Sequence, residues 1–163
     1  MGVFDEACFC DLLGERLNKE WNEIIEGAKK KQKEKLEELE EKIKAWKDAG
    51  LPSSFEGIKF YKEGEGLFSP EDALRNVREY ARKTGIRSKV FIIARKKDSG
   101  YTAVDTLIIE ESDTLESLRM KLEKKYEELL EEYKRARESL APFIDWDRLR
   151  NVGEIAALKK QVC

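Results

Sequence analysis

Residues 89–109 read KVFIIARKKDSGYTAVDTLII, and this stretch predicts a β-hairpin. Its first strand, over residues 89–95, is so apolar at its centre that neither face should meet water, which predicts a central strand. Asp98-Ser99-Gly100 supplies the turn, with glycine at the position that favours a left-handed backbone. The chain then returns over residues 101–109 as the second strand.

The second strand alternates in character, and simple alternation assigns its side chains to two faces. One predicted face carries Thr102, Val104, Thr106 and Ile108, and the other carries Tyr101, Ala103, Asp105, Leu107 and Ile109.

The segment before the hairpin predicts a helix preceded by a short strand. Ser69 has the position of an N-cap, Pro70 follows at the first helical position, and Gly85 is a typical helix stop. Residues 57–61 predict the short strand, and residues 63–66 a flexible loop. Residues 57–111 therefore predict a β-α-β-β unit with a small three-stranded sheet.

Two long amphipathic helices are predicted on either side of this unit, at 4–48 and 113–140, because apolar residues recur there in steps of three and four. Gly14 is a candidate break in the first of them. A shorter C-terminal helix is predicted at 145–160. The predicted fold is a helix-dominated α+β protein with the element order α-β-α-β-β-α-α, in a single domain spanning residues 1–163.

The apolar stripes of the two long helices predict an association surface of coiled-coil character. They exceed what a small sheet and two short helices can cover, so we expect them to pack antiparallel on each other or on a second chain in a homodimer. The residues expected in this association seam are Trp21, Ile25, Leu36, Leu39, Ile43, Leu118, Leu122 and Leu129.

The composition limits the chemistry that the chain can perform. None of its 163 residues is histidine, which excludes Ser-His-Asp and Cys-His catalysis and histidine-ligated metals. The net charge of −2 argues against a protein that coats nucleic acid with its whole surface. The scarcity of asparagine and glutamine, beside abundant lysine and glutamate, is typical of proteins from thermophiles.

Two basic clusters are candidate nucleic-acid contacts. The first is a lysine run that begins with Lys29, Lys30 and Lys31, but glutamates follow it at helical spacing, as on an ordinary solvated helix face. The second is the hairpin tip, where basic residues accompany an aromatic ring that could stack on a base. The tip residues are Arg95, Lys96, Lys97 and Tyr101.

The three cysteines, Cys8, Cys10 and Cys163, do not have the spacing of a zinc site. We expect Cys8 on the apolar face of the first helix. Cys163 could form a disulfide with Cys10 or with Cys8 and tie the two ends together, as intracellular proteins of hyperthermophiles allow.

A carboxylate nuclease is the enzyme class that the lack of histidine leaves open. Asp105 sits in the second strand, with Glu110 and Lys89 within reach of the same sheet, but the characteristic D…E-x-K spacing is absent. Asp105 is alternatively expected to pair with Arg78 or Arg82 on the preceding helix. No metal or cofactor is predicted.

These features predict a non-catalytic assembly, adaptor or regulatory protein that acts through helical protein–protein contacts. The alternative is a nucleic-acid-binding accessory protein using the hairpin tip, and a metal-dependent nuclease is a remote third. The start of the chain is acidic where a secretory signal is basic, and no apolar run is long enough to cross a bilayer. We therefore expect a cytoplasmic protein without membrane contact.

Overall fold

The computed structural model describes the backbone of residues 6–163 and the side chains of residues 9–163. It confirms a helix-dominated α+β fold. The elements in chain order are α1 (Glu6–Asp48), β1 (Ile58–Lys62), β2 (Gly66–Phe68), α2 (Pro70–Thr84), β3 (Ser88–Lys97), β4 (Gly100–Glu110), α3 (Leu115–Glu138), a short 3₁₀ turn (Ala141–Phe143) and α4 (Trp146–Val162).

The sheet has four antiparallel strands in the order β2-β1-β3-β4, where the sequence predicted three. The additional strand is β2, which pairs with β1 through Phe60↔Phe68 and Tyr61↔Leu67. The predicted flexible loop is therefore the turn of a second hairpin. A three-residue strand is too short for its periodicity to be visible in the sequence. β3 is a central strand, as predicted.

The chain divides into two compact units, and α1 and α3 contribute to both of them. The helical unit contains the described residues up to Glu37 together with Lys134–Cys163, and the sheet unit is Glu38–Tyr133. The single-domain assignment stays a prediction. α1 runs without interruption through Gly14, so the candidate break there is not observed.

The helices of the sheet unit cover one face of the sheet, and the core lies between them. Phe60, Phe91 and Ile93 are fully buried on this covered face. Trp46 of α1 packs on Tyr126 of α3, with ring centroids 5.5 Å apart, and Tyr133 donates a hydrogen bond to Glu40 at 2.9 Å. The pairs 46–126 and 40–133 show that α1 and α3 run antiparallel here, which is one of the two arrangements that the apolar stripes predicted.

Local capping explains where α2 and α3 begin. The Ser69 hydroxyl accepts a hydrogen bond from the Asp72 backbone N–H, and Gly85 ends α2 with a φ of 77°. In α3 the cap is Thr114, whose hydroxyl accepts from the Ser117 backbone N–H at 3.1 Å. Asp113, one residue earlier, is not the cap, because its carboxylate accepts from the Glu110 backbone and the Ser117 hydroxyl and binds Lys121.

The helical unit is formed by α1, the end of α3, the 3₁₀ turn and α4. Arg148 of α4 donates to Glu20 at 2.8 Å and pairs with Glu23, both on α1. The Gln32 side chain donates to the Ala136 carbonyl at 2.8 Å, which joins α1 to the end of α3.

Candidate interaction surface

One face of the sheet carries none of the described helices of the sheet unit, and we refer to it as the open face. Its side chains project from all four strands, as the strand register requires. It consists of Tyr61, Leu67, Val90, Ile92, Ala94, Tyr101, Ala103, Thr106 and Ile108.

Several large apolar side chains of the open face are solvent-exposed. Val90 is 49% exposed and its cross-strand partner Ile108 is 54% exposed. This corrects the expectation that neither face of β3 meets water. The strand is apolar on both sides, but the described helices of the sheet unit cover only one of them. A contiguous apolar face of this kind is the usual mark of a binding surface.

A β-bulge decides which residues share the open face. Ile93 pairs with Asp105 but the next residue, Ala94, pairs with Ala103, so Val104 is the extra residue in β4. The bulge reverses the alternation, and Tyr101 and Ala103 join Thr106 and Ile108 on the open face. The simple alternation predicted from the sequence placed Tyr101 with Asp105, which is wrong.

An open concavity of about 440 Å³ lies on the open face near the hairpin tip. Two tyrosines, Tyr61 and Tyr101, border it, and Ile92, Ala94 and Ala103 are also among its lining residues. The sequence pattern indicates Tyr101 as a site residue, but not Tyr61 or Leu67. Their pairing across the β1–β2 hairpin was the missing signal, because β2 was interpreted as a loop.

Arg95, one of the predicted nucleic-acid contacts, does not lie at the hairpin tip. Arg95 turns to the covered side, where its guanidinium lies 3.9 Å from the Asp48 carboxylate and 3.5 Å from the Asp48 carbonyl. Lys96, Lys97 and Tyr101 are exposed. The tip therefore offers two lysines and one tyrosine.

Side chains from α3 occupy the free edge of β4. Lys121 donates to the Ile108 carbonyl at 3.1 Å, and Lys125 donates to the Thr106 carbonyl. The Glu110 backbone N–H donates to Asp113 at 2.8 Å. These contacts occupy backbone groups that a further strand would need.

Asp113 and Lys121 form a charged pair at this edge, with Nζ and Oδ2 2.5 Å apart. Burial alone would raise the pKa of Asp113, but hydrogen bonds from Lys121, the Glu110 backbone and Ser117 outweigh it and hold the pKa below its usual value. Burial likewise lowers the pKa of Lys121, and its hydrogen bonds to Asp113 and Glu110 outweigh that and raise the pKa overall.

Asp105 is a structural residue of the covered face. Its carboxylate accepts a hydrogen bond from the Trp46 indole at 3.0 Å and lies 3.6 Å from the Lys125 ammonium, rather than near Arg78 or Arg82. Arg78 instead donates to the carbonyls of Glu111 and Asp113. The pairing predicted for Asp105 is therefore corrected.

The three residues of the nuclease hypothesis bind different partners. Lys89 is buried and its ammonium lies 2.7 Å from both Glu65 and Asn76, over the ring of Tyr80. Glu110 binds Lys121. Among the described residues no group of three or more histidine, cysteine or acidic side chains is placed to hold a metal ion.

The predicted association seam is largely covered within the chain. Leu39, Leu118, Leu122 and Leu129 are buried, while Ile25, Leu36 and Ile43 are half-buried. Trp21 is 49% exposed, so it lies at the margin of the stripe. The most apolar part of the seam does not need a second chain to cover it.

The remaining candidates lie in the helical unit. Lys29, Lys30 and Lys31 are exposed on α1, and the Lys29 ammonium lies 3.7 Å from the Glu26 carboxylate. Cys10 and Cys163 are joined by a disulfide with Cα atoms 6.1 Å apart. The side chain of Cys8, the other predicted partner, lies outside the described residues.

Comparison with protein-family models, with curated proteins and with solved structures finds no match to this chain. None of the described helices has the length and apolar character needed to cross a membrane.

Proposed function

We propose that this chain is a non-catalytic assembly, adaptor or regulatory protein, and that its protein–protein contacts are made by the open face of the sheet. The single observation that carries this proposal is the exposed apolar pair Val90 and Ile108, continuous with Ile92 and Leu67. The sequence had favoured contacts made by helices. The burial of Leu118 and Leu122 within the chain favours the sheet instead.

Aliphatic side chains favour a protein partner over other ligands. Val90, Ile92 and Ile108 have no polar group with which to select a small polar molecule, and burying apolar area contributes about 25 cal/mol per Å². A partner that contacts all three side chains would remove them from water.

A double variant tests the proposal while preserving the strand pair. In Val90→Lys/Ile108→Glu the two residues remain directly opposite, so their charges attract across the strands while the apolar surface is lost. Met120→Lys is the matched control, because Met120 is exposed on α3, away from the open face. Circular dichroism establishes that both variants fold.

The measurement is quantitative affinity capture with wild type and both variants, followed by reconstitution of the complex from purified components. We expect a partner that wild type and Met120→Lys retain and that Val90→Lys/Ile108→Glu loses. Equal retention by all three proteins would place the contact elsewhere and overturn the proposal.

A second candidate function is the binding of single-stranded nucleic acid. The observation that favours it is the concavity between Tyr61 and Tyr101, beside Lys96 and Lys97 at the tip. Sheets that present aromatic rings stack bases, and neighbouring lysines neutralise phosphates. The sequence suggested nucleic-acid binding by the hairpin tip. In this second candidate function, the surface that stacks bases extends from the tip onto the open face of the sheet.

Fluorescence anisotropy with a short labelled oligonucleotide tests this second function. If it holds, affinity falls as salt rises, Tyr101→Ala weakens binding, and Tyr101→Phe preserves it because the phenyl ring still stacks. Binding that is absent, or that is insensitive to salt and to both substitutions, would contradict it.

A further inference from the structure

The two edges of the sheet are poor sites for adding another strand. At the β4 edge, Lys121 and Lys125 occupy the carbonyls of Ile108 and Thr106, and Asp113 accepts from the backbone of Glu110. At the other edge, β2 has three residues. Lysines on an edge and a very short edge strand are the usual protections against edge-to-edge pairing. Association through the sheet is therefore directed to its open face.

The size of the open face suits a weak association. Four strands about 4.8 Å apart, with about six residues of roughly 3.3 Å each, give a face of roughly 400 Å². Stable complexes bury about 800 Å² on each partner. An apolar sheet face of this size packs well on another sheet face, at about 10 Å, with the strands nearly aligned.

The two ends of the open face differ in charge. At the hairpin-tip end, Lys59, Lys96 and Lys97 outnumber the one exposed acid of the turn, Asp98. At the other end the cations have partners: Lys121 binds Glu110, Arg87 binds Glu111, and Lys62 donates to the Val90 carbonyl. Glu63, exposed in the β1–β2 turn, is the more available anion at that end. A second copy turned end for end would bring the lysines of each copy to the glutamates of the other.

We propose that the occupant of the open face is a second copy of this chain, packed face to face with antiparallel strands about a twofold axis. The contact is isologous, because each copy offers the same face and each end pairs lysines with glutamates. This inference rests on the proposed function and names its partner. The small area predicts a weak dimer with a high dissociation constant.

Sedimentation velocity over about 1–500 µM protein measures this dissociation constant directly. We expect a monomer–dimer equilibrium that Val90→Lys/Ile108→Glu weakens by at least about tenfold and that Met120→Lys leaves unchanged. A wild type that stays monomeric throughout, or a face variant that dimerises as well as wild type, would overturn the inference.

A charge swap tests the end-for-end arrangement. Lys96→Glu/Lys97→Glu should weaken the dimer, and adding Glu63→Lys should restore part of the lost affinity, with both effects fading at high salt. If the lysine variant dimerises as well as wild type, the antiparallel arrangement is wrong.

The outcomes separate this inference from the proposed function. A monomeric wild type whose open-face variant still loses a captured partner would exclude the second copy while the proposed function stands. Retention of that partner by the face variant would overturn the proposed function itself. Salt-dependent oligonucleotide binding by a monomer would favour nucleic acid as the occupant instead.

Discussion

At the scale of single residues, two buried hydrogen-bonded acids fix the position of β4. Asp105 binds Trp46 of α1 and Lys125 of α3, and Asp113 binds Lys121 of α3 together with the backbone of Glu110. Buried carboxylates are costly unless they are paired in this way. Each acid therefore ties the strand to a neighbouring helix rather than serving as a reactive group.

Trp46→Phe should destabilise the sheet unit. The phenyl ring preserves most of the packing on Tyr126 but removes the indole N–H that Asp105 accepts, and losing a hydrogen bond to a buried charge costs about 1.5–3 kcal/mol. Urea unfolding measures the free energy of unfolding. Trp21→Phe, at an exposed position, is the control and should change it by less than about 0.5 kcal/mol. A loss equal to that of the control would show that the hydrogen bond contributes nothing.

The lowered pKa of Asp113 predicts that the folded protein loses stability in acid. Its pKa in the folded state lies below its unfolded value of about 3.9, so its contribution is complete above that value and is lost as the pH falls through the folded-state pKa. Asp113→Asn should therefore be less stable than wild type at about pH 7, by about 1.5–3 kcal/mol. The difference should shrink progressively below about pH 4. A difference in unfolding free energy that stays constant with pH would contradict this assignment.

At the scale of elements, the helices could be predicted from the sequence because they have long periodic patterns and recognisable residues at their ends. α2, for example, has the hydroxyl of Ser69 at its start and the left-handed Gly85 at its end. The open face could not be predicted. It depends on a three-residue strand and on a bulge at Val104, and neither feature has a recognisable sequence pattern. One extra residue moves Tyr101 to the other side of the sheet.

The β4 edge gives a prediction at this scale. Lys125→Met preserves the aliphatic stem but removes the ammonium that binds the Thr106 carbonyl, and so exposes part of the strand edge. Because the change also removes the Lys125–Asp105 pair, aggregation is compared at the same interval below each variant's unfolding temperature. We expect it to be several-fold faster for Lys125→Met, followed by light scattering and thioflavin fluorescence. Lys124→Met, at the exposed neighbouring position on α3, supplies the comparison. Equal aggregation of the two variants would mean that the lysine does not protect the edge.

At the scale of the whole molecule, the Cys10–Cys163 disulfide joins positions 153 residues apart in sequence. A crosslink across so long a loop restricts the unfolded chain and stabilises a protein by about 2–5 kcal/mol. Cys163→Ser should lower the free energy of unfolding by that amount, and a reductant should lower that of wild type equally while leaving the variant unchanged. Titration of the unfolded, unreduced wild type should find one free thiol. Three free thiols, or a wild type that is insensitive to reductant, would exclude this bond.

The same crosslink makes the backbone between Cys10 and Cys163 a covalent ring. A protease that cleaves once inside the ring, for instance after Lys97 at the end of β3, opens it without releasing a fragment. The two pieces separate only when the disulfide is reduced. A nicked molecule would thus migrate at its full mass on a non-reducing gel. After denaturation its two pieces would refold as one molecule, because the disulfide still joins them.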